Sequence, residues 1–423
     1  MSLVYRSFLF QKTGYSLAAH MDVLAMAEAG AGEWPGGFKT CTLTPKAPPL
    51  TFDLFGRAQQ VAQERHDPAS WKLPGVQIIR SIPTDVFAPY ERARSDQGFP
   101  IYRGPEQRVI CATVFEAPRW PMGWASSCNL YDAIVVPGEW LAQAARAAGV
   151  ESRIEVIPHA MEWPPERDEN GLSEIPPVDK AKWWWERPSQ LRDGYGYRGP
   201  HVFTDGTNML RKNLSSAVEA FWRAFDHDDG AVMLLKTSWF KPIHEAVFMH
   251  ELSQIRKKLG RTKYAPVGLI DSTLTWSEHW SLFHWCTTYL SMAYAEGVGY
   301  PLLQAGGLGK VIVCTDSPGH RDTAPQALFV ESRDATFGQL RPFDPVSTLD
   351  RCEHCGYEFG VAHIHEDDPW RVPLIESAAV RLREATKPQV QAGALIDAVK
   401  VHDRHNLRAV GEQFLKLARE AAP

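Results

Sequence analysis

Short apolar runs alternate with amphipathic runs along the first 160 residues. Four runs rich in β-branched residues are typical of buried strands, at 75–82, 108–115, 131–137 and 153–158. Residues 18–30 and 139–149 instead space their apolar residues as a helix does, and a glycine lies at or next to the end of each run. This alternation predicts a parallel sheet with helices on both faces.

The same alternation resumes after residue 200. Strands are predicted at 201–206, 231–238 and 264–271, followed by a buried strand at the end of 293–316. Residues 213–225 predict an amphipathic helix whose apolar face consists of Leu214, Ala217, Val218, Phe221 and Phe225. The C-terminal helix is predicted from the spacing of Leu407, Val410, Phe414 and Leu417.

Residues 163–200 interrupt the pattern with prolines, glycines, charges and three consecutive tryptophans, which is typical of an interdomain connection. The predicted fold class is therefore α/β, with two doubly wound Rossmann-like domains facing a cleft. The predicted parts are a first domain, a connection, a second domain and a C-terminal helix that packs back on the first domain, at 1–165, 166–200, 201–395 and 396–423. Ligands of such folds bind at the carboxyl ends of the strands.

A chain of 423 residues has room for two domains of ordinary size. The net charge of 45 − 50 = −5 argues against broad nonspecific binding of nucleic acid but leaves a local basic groove open. Seven cysteines, five of them scattered, indicate reduced thiols. No apolar run approaches a membrane span, and the N-terminus lacks the apolar core of a signal peptide. The expected location is the cytoplasm, or the host cytoplasm if a phage encodes the chain.

A first candidate for ligand chemistry is the segment TDGTNMLRKNL at 204–214. A strand ends there, a glycine turn follows, and Arg211 and Lys212 precede a helix for which Asn213 is the expected cap. Cationic side chains beside a helix N-terminus form an anion site. The alternative is a solvated basic pair at a helix start.

A second candidate is the segment AEGVGYPLLQAGG at 295–307. Gly297 and Gly299 allow the main-chain amides to approach a ligand closely, and Pro301 suits the first turn of a helix. Glu296 precedes that helix in surroundings that the sequence makes neutral, so its carboxylate is expected to accept hydrogen bonds from hydroxyl groups. The glycines alone are equally compatible with a tight structural turn.

Together these segments resemble nucleotide-sugar-dependent glycosyltransferases of the GT-B fold, of the family-4 type. The family's Glu-x7-Glu motif is present as EGVGYPLLQ, with Gln304 at the second acidic position. Three more segments match in the expected order, namely TVFEAPRWPMGWASSCNLYDAIVVP, VVPGEWLAQAARAAGVESRIEVIPHAME and RKNLSSAVEAFWRAF. The resemblance covers residues 108–330, with a weaker match near residues 13–30.

The resemblance implies roles in binding a nucleoside-diphosphate sugar as the donor substrate. Arg211 and Lys212 would neutralise the donor diphosphate, and Glu296 would bind hydroxyls of the transferred sugar. Gln304 would contact the nucleotide ribose, without the charge assistance of a carboxylate. The main-chain amides that would hold the phosphates or the sugar belong to Gly297, Val298, Gly299 and Tyr300, with Gly14 approaching the diphosphate from the other side.

The resemblance also implies transfer with retention of anomeric configuration, in which the leaving phosphate takes the acceptor's proton and no catalytic metal takes part. The transition state resembles an oxocarbenium ion and releases a diphosphate, which preorganised cations stabilise. Glu116, which follows a predicted strand, either orients the acceptor hydroxyl or supports the positive charge, or, in the structural alternative, caps the next segment. His159 matches the family's interdomain-hinge histidine, and a structural role is expected for it.

The segment at 351–370 has a C-x2-C pair followed by glycine, as in a zinc knuckle. Cys352, Cys355, His363 and His365 are either the four ligands of a structural zinc ion or part of an ordinary loop with reduced thiols.

The acceptor remains open between two classes: a glycan or lipid-linked saccharide, and a hydroxymethylated pyrimidine in DNA. Residues 182–198 interleave aromatics with basic residues, and 255–263 is a basic run, as in surfaces that stack on bases or sugars. A linker packed by its tryptophans and a solvated helix face are the structural alternatives. A noncatalytic sugar-nucleotide-binding protein and a nucleotide-sugar epimerase of the same fold are the competing functions.

Overall fold

The computed structural model describes residues 1–7, 9, 14–43, 53–81, 106–116, 119–120, 124–164, 177–184, 199–239, 242–336, 339 and 369–422. The chain forms two compact units. The first contains Met1–Phe115, Arg119–Trp163 and His402–Pro423, and the second contains Glu116–Pro118 and Pro164–Val401.

The first unit contains a six-stranded parallel sheet in the order β2-β1-β3-β4-β5-β6. Its strands are β1 Ser2–Ser7, β2 Phe38–Thr42, β3 Gly75–Arg80, β4 Gln107–Ala112, β5 Ala133–Val136 and β6 Arg153–Val156. Tyr5 pairs with Thr40 on one side and Ile78 on the other, and all three are buried. Burial on both faces explains why these strands are continuous apolar runs in the sequence.

The second unit contains a seven-stranded sheet in the order β13-β12-β11-β8-β9-β10-β7. Its strands are β7 Lys182–Trp184, β8 His201–Thr207, β9 Val232–Ser238, β10 Val267–Ile270, β11 Thr288–Ser291, β12 Val311–Thr315 and β13 Leu328–Val330. The pairs are parallel except β7, which runs antiparallel to β10. A separate antiparallel pair consists of β14 Ser332–Thr336 and β15 Pro369–Pro373.

Helices connect these strands, as the parallel pairing requires. The helices of the described residues are α1 Gly14–Glu28, α2 Gly56–Glu64, α3 Trp124–Cys128, α4 Glu139–Ala147, α5 Leu214–Ala224, α6 Pro242–Leu259, α7 Trp276–Trp285, α8 Tyr300–Gly307, α9 Pro318–Thr323, α10 Ile375–Ala385, α11 Pro388–Arg404 and α12 Leu407–Ala421. The predicted α/β class is confirmed, with a parallel sheet in the first unit and a sheet that is parallel except for β7 in the second. None of these helices is long and apolar enough to cross a membrane.

The apolar face predicted for residues 213–225 is the buried face of α5. Leu214, Ala217, Val218, Phe221 and Phe225 all belong to the core of the second unit. In the first unit, α12 packs on α1 so closely that a side chain at Gly411 would overlap the carbonyl group of Ala25. The C-terminal helix thus lies in the first unit, where its apolar stripe is buried.

The structure differs from the interdomain connection predicted at 166–200, because the described part of this range contains a strand of the second sheet. Lys182–Trp184 forms the edge strand β7 of the second sheet, where Trp183 pairs with Gly268 of β10. A Cβ atom at Gly268 would lie 3.1 Å from the Trp183 ring, so the glycine makes room for the indole. The prolines and glycines around this strand concealed three residues that pair with a strand more than 80 positions later.

The strand order of the second sheet reverses between β11 and β8. From β8 the chain continues outward through β9 and β10, whereas β11, β12 and β13 extend to the opposite side. The loops that follow the two central strands diverge at such a switch point and leave a crevice outside the carboxyl ends of the strands. The loop after β8 contains Arg211 and Lys212, and the loop after β11 contains Glu296.

Candidate functional site

Hydrogen bonds join the loops that follow β8 and β11. The amide group of Tyr294 donates to the carbonyl oxygen of Arg211 at 2.9 Å. Asn213 has a left-handed φ of 50°, and its side-chain amide donates to the carbonyl oxygen of Met292 at 3.1 Å. Asn213 therefore occupies the N-cap position of α5 without the predicted capping hydrogen bond. Asparagine tolerates this backbone conformation better than most residues, and here its amide fixes the neighbouring loop.

Four predicted site residues form one ion cluster. The Arg211 guanidinium donates from Nη1 to Glu296 Oε2 at 2.8 Å and to the carbonyl oxygen of Ala295 at 3.1 Å. Lys212 Nζ donates to the other oxygen, Glu296 Oε1. Arg211 Nη2 lies 3.1 Å from Oε1 of Glu116, which belongs to the same unit. Two cations and two carboxylates thus meet at the switch point.

The prediction that Glu296 has neutral surroundings is wrong, because Arg211 and Lys212 contact its carboxylate in the folded chain. The residue is buried, with 7% of its surface exposed. Burial alone would raise its pKa, but Lys212 and Arg211 outweigh this effect and lower the pKa to about 2. Glu296 is therefore ionised throughout the neutral pH range, and the formal charges of the cluster sum to zero.

The N-terminus of α8 begins next to this carboxylate. Gly299 is its N-cap, with a left-handed φ of 73°, and no side chain caps the helix. Pro301 lies in the first turn, as predicted. Pro301 has no amide hydrogen and the Leu302 amide donates to the carbonyl oxygen of Gly299, so the helix dipole is the feature of this end that favours anions. The amides predicted to hold the donor, at Gly297, Val298, Gly299 and Tyr300, lie in this segment, and their contact with a donor stays a prediction.

A third segment, at the start of α9, packs against the main chain of Glu296. A Cβ atom at Gly319 would overlap the carbonyl oxygen of Glu296. His320 is fully buried, with Nδ1 2.7 Å from Ser317 Oγ and Nε2 3.3 Å from Ser291 Oγ. Burial lowers the pKa of His320 to about 4, although Glu296 acts in the opposite direction. The sequence analysis did not identify this segment, although a serine, a proline and a glycine that follow β12 indicate a turn into a helix.

We expect Gly319→Ala to destabilise the protein by about 2 kcal/mol, since the added methyl group overlaps main-chain atoms that have little freedom to move. Gly393→Ala is the matched control, because a Cβ atom there, within α11, has no described atom within 4 Å. The control should stabilise by about 0.5–1 kcal/mol through helix propensity. Urea unfolding checks both variants, and equal midpoints for the two would contradict the close packing of Gly319.

Three buried histidines make stability depend on pH. Burial is the first cause in each case, and it lowers the pKa of His20, His320 and His405 from 6.5 to about 4. The unfolded chain then binds more protons than the folded chain between these values, so the unfolding free energy falls as pH decreases from 6.5 to 4. Each imidazole contributes on the order of 3 kcal/mol. Urea midpoints at pH 7, 5.5 and 4.5 should decline in that order, whereas constant midpoints would exclude neutral buried imidazoles.

Gln304 lies on α8 and is 1% exposed. Its Oε1 is 3.3 Å from Nε2 of His279, and that nitrogen is 3.8 Å from Oδ2 of Asp205. The Gln304 amide nitrogen is buried and has no hydrogen-bond partner among the described residues. Asp205 and His279 were also missed at the sequence level, because they come from β8 and α7 and meet Gln304 only in the folded chain.

The remaining predicted site residues lie elsewhere. Gly14 is the first residue of α1 in the first unit, and its approach to a donor stays a prediction. His159 is buried in the first unit, where its carbonyl oxygen lies 2.6 Å from His405 Nδ1, in keeping with a structural role. Cys352, Cys355, His363 and His365 lie outside the described residues. Within the described ranges, no cluster of three or more residues suited to a metal is present.

Most of the described cations in residues 182–198 and 255–263 contact an acidic or aromatic side chain. Lys182 contacts Asp271 at 2.7 Å and Glu245 at 3.1 Å. In the run at 255–263, Lys258 contacts Glu219 at 3.0 Å, Arg261 contacts Asp226 at 2.7 Å, and Arg256 lies over the ring of Tyr264. For the described cations, these contacts match the structural alternative better than an open phosphate-binding groove, and Arg187, Arg192 and Arg198 lie outside the described residues.

No protein-family model and no curated protein sequence matches the chain. Its structure is similar to that of HepE from Anabaena in complex with UDP and glucose, with a TM-score of 0.61 and 10% identity over 99% of this chain and 100% of that chain. It is also similar to the trehalose-6-phosphate synthase OtsA, with a TM-score of 0.62 and 12% identity over 99% of both chains.

A UDP-forming α,α-trehalose-phosphate synthase from Burkholderia xenovorans is similar as well, with a TM-score of 0.55 and 12% identity over the whole of both chains. At such identities the similarity establishes the fold. The chain has the GT-B fold, as the sequence predicted.

Proposed function

We propose that this protein is a glycosyltransferase that moves a sugar from a UDP- or GDP-linked donor to a hydroxyl acceptor. The observation that carries the proposal is the cluster of Arg211, Lys212 and Glu296 at the switch point of the second sheet, beside the N-terminus of α8. One of the structures it resembles contains UDP and glucose, and another is a UDP-forming synthase.

The cluster suits a sugar diphosphate because it combines cations with a carboxylate. Diphosphate oxygens would accept hydrogen bonds from Arg211 and Lys212 and would lie at the positive end of the α8 dipole. These donors would stabilise the charge that develops on the leaving group. Glu296, which is ionised, would accept hydrogen bonds from hydroxyls of the transferred sugar.

We expect donor binding to involve an exchange of partners. Both cations already contact carboxylates, with which a diphosphate would compete for the same positive charge, so we expect it to replace at least one contact with Glu296 or Glu116. The Arg211–Glu116 contact is the easier one to release, since the Glu116 side chain is 31% exposed and that of Glu296 only 8%. Glu116, once released, would orient the acceptor hydroxyl, and the leaving phosphate would take that hydroxyl's proton in a retaining transfer.

We propose that the acceptor is a saccharide hydroxyl. Lys182, Lys258 and Arg261 each contact an acidic residue, so they belong to surfaces of mixed charge and not to a uniformly basic groove. The net charge of −5 acts in the same direction. A hydroxymethylated pyrimidine in duplex DNA is the competing acceptor, and it forms one arm of the test.

The test incubates the protein with UDP- and GDP-linked sugars, each alone, with a panel of mono- and oligosaccharides, and with hydroxymethylated duplex DNA. Released nucleoside diphosphate and product mass are measured. Saccharide products with released diphosphate support the proposal, and a mass gain on the DNA alone would contradict its acceptor. Donor binding without turnover would indicate a noncatalytic binding protein, and an altered donor sugar without transfer would indicate an epimerase.

A further inference from the structure

His320 is a buried titratable residue next to the ion cluster. It belongs to α9, and its side chain lies between two hydroxyl groups. Nδ1 is 2.7 Å from the hydroxyl of Ser317, the N-cap of α9, and Nε2 is 3.3 Å from the hydroxyl of Ser291, the last residue of β11. A neutral imidazole has one donor and one acceptor nitrogen, and a hydroxyl can take either part, so both contacts are satisfied without a charge.

Two features of the chain place His320 close to Glu296. The preceding residue, Gly319, packs on the main chain of Glu296 so tightly that a Cβ atom would overlap its carbonyl oxygen. Ser291, which contacts the imidazole, ends the strand whose following loop contains Glu296. The groups that face the imidazole from the elements packed around it are the hydroxyls of Ser291 and Ser317, the main chain of Thr315, and the charged side chains of Glu296, Lys212 and Arg211.

The charge around His320 would change when a donor binds. In the free protein, burial lowers the pKa of His320 to about 4, Glu296 acts in the opposite direction, and Lys212 and Arg211 lower the pKa further. The two cations and two carboxylates of the ion cluster then sum to zero. A sugar diphosphate would add two negative charges to this cluster, and a negative excess favours the protonated form of a nearby imidazole.

We propose that His320 takes up a proton when the donor diphosphate binds at the ion cluster, and that the imidazolium is a positioning residue that acts through Glu296. It would offset the charge of this buried carboxylate, so that Arg211 and Lys212 are left to the diphosphate. The proton comes from the solvent and stays on the imidazole while the diphosphate leaves. His320 does not touch the donor. The inference rests on the proposed function, because it concerns the donor of the same site.

The test measures proton uptake on donor binding, by titration calorimetry in buffers of different ionisation enthalpy at pH 5.5 and pH 8. The probes are UDP-glucose, UDP-N-acetylglucosamine, GDP-glucose and GDP-mannose, since a sugar diphosphate lacks the second ionisation near pH 6 of a terminal phosphate. With a probe that binds, uptake should be about 0.3–0.6 proton per donor at pH 5.5 and below about 0.1 at pH 8. By linkage, Kd should fall about twofold from pH 8 to pH 5.5.

Two variants separate this role from a structural one. His320→Asn removes the titrating group but keeps a donor and an acceptor, and uptake at pH 5.5 should fall below about 0.1 proton. His405→Asn is the matched control, because burial lowers the pKa of His405 to about 4 as well, but this residue lies in the first unit. The control should keep the uptake of the wild type. Circular dichroism monitors the folding of both variants.

The failures are distinguishable. A wild-type protein that binds none of the four probes would overturn the proposed function and this inference together. Donor binding without proton uptake at pH 5.5 would overturn the inference alone, and this result needs no variant. Uptake that persists in a folded His320→Asn protein would assign the proton to another group, and equal losses in His320→Asn and His405→Asn would show that the uptake does not depend on the ion cluster. Either result would overturn the inference.

Discussion

Replacement of Arg211 by alanine is expected to lower kcat/KM for the sugar-nucleotide donor by about 10²–10³-fold, the effect of removing one preorganised donor to a developing charge. Arg211 is half of the cluster's positive charge and joins both loops of the switch point through Glu296, Ala295 and Tyr294. The variant leaves Lys212 as the single cation for the diphosphate. Initial rates of diphosphate release at several donor concentrations measure the effect.

Two control variants define the origin of that loss. Arg383→Ala removes an exposed arginine of the same unit that contacts Asp229, and it should retain wild-type rates. Arg211→Lys keeps the charge but not the fork that reaches Glu296 and Ala295 together, and it should recover only part of the activity. An Arg211→Ala variant that is folded and as active as Arg383→Ala would exclude Arg211 from donor binding.

Replacement of Glu296 by glutamine is expected to separate binding from transfer. Loss of the carboxylate charge frees Arg211 and Lys212, so the affinity for the nucleoside diphosphate should increase about three- to tenfold. The rate of transfer should fall by about 10²-fold or more, because the sugar loses a charged acceptor for its hydroxyls. Titration calorimetry with the diphosphate and single-turnover kinetics with the donor measure the two effects.

The pH dependence of this site follows from the same contacts. Because the pKa of Glu296 is about 2, its stabilising interaction is complete above the ordinary carboxyl pKa of 4.5 and is lost as pH falls from 4.5 towards 2. Glu296 therefore contributes no limb to a pH–rate profile near neutrality.

The opposite result for Glu296→Gln would be weaker diphosphate binding with an unchanged transfer rate. That result would contradict the assignment of the two cations to the diphosphate and of Glu296 to the sugar.

The fold was predictable because its signals are local. Continuous apolar runs that alternate with amphipathic runs require parallel strands and covering helices, and the apolar face of residues 214–225 follows from helical periodicity alone. Arg211 and Lys212 follow the strand predicted at 201–206, so their place at a strand end was predictable, whereas β11, the strand that precedes Glu296, was not predicted. The strand order, which places those strands side by side, depends on pairings such as Thr288 with Val202 that no local pattern shows.

What the sequence did not show depends on contacts between distant segments. Glu296 lies 84 positions from Lys212, and glycines are its near neighbours in the sequence. No nearby residue therefore indicates its ion pairs or its low pKa. Asn213 matched a helix cap, but a carbonyl group of another loop attracts its amide. His279 resembles any other histidine on a helix until folding places it between Gln304 and Asp205.

A crystal structure of the protein with UDP bound tests donor binding at this cluster most directly. We expect diphosphate oxygens to accept hydrogen bonds from Arg211 and Lys212, at least one of these cations to have left its carboxylate partner, and the phosphates to lie at the N-terminus of α8. A nucleotide bound at another position, with the contacts among Arg211, Lys212 and Glu296 unchanged, would contradict it.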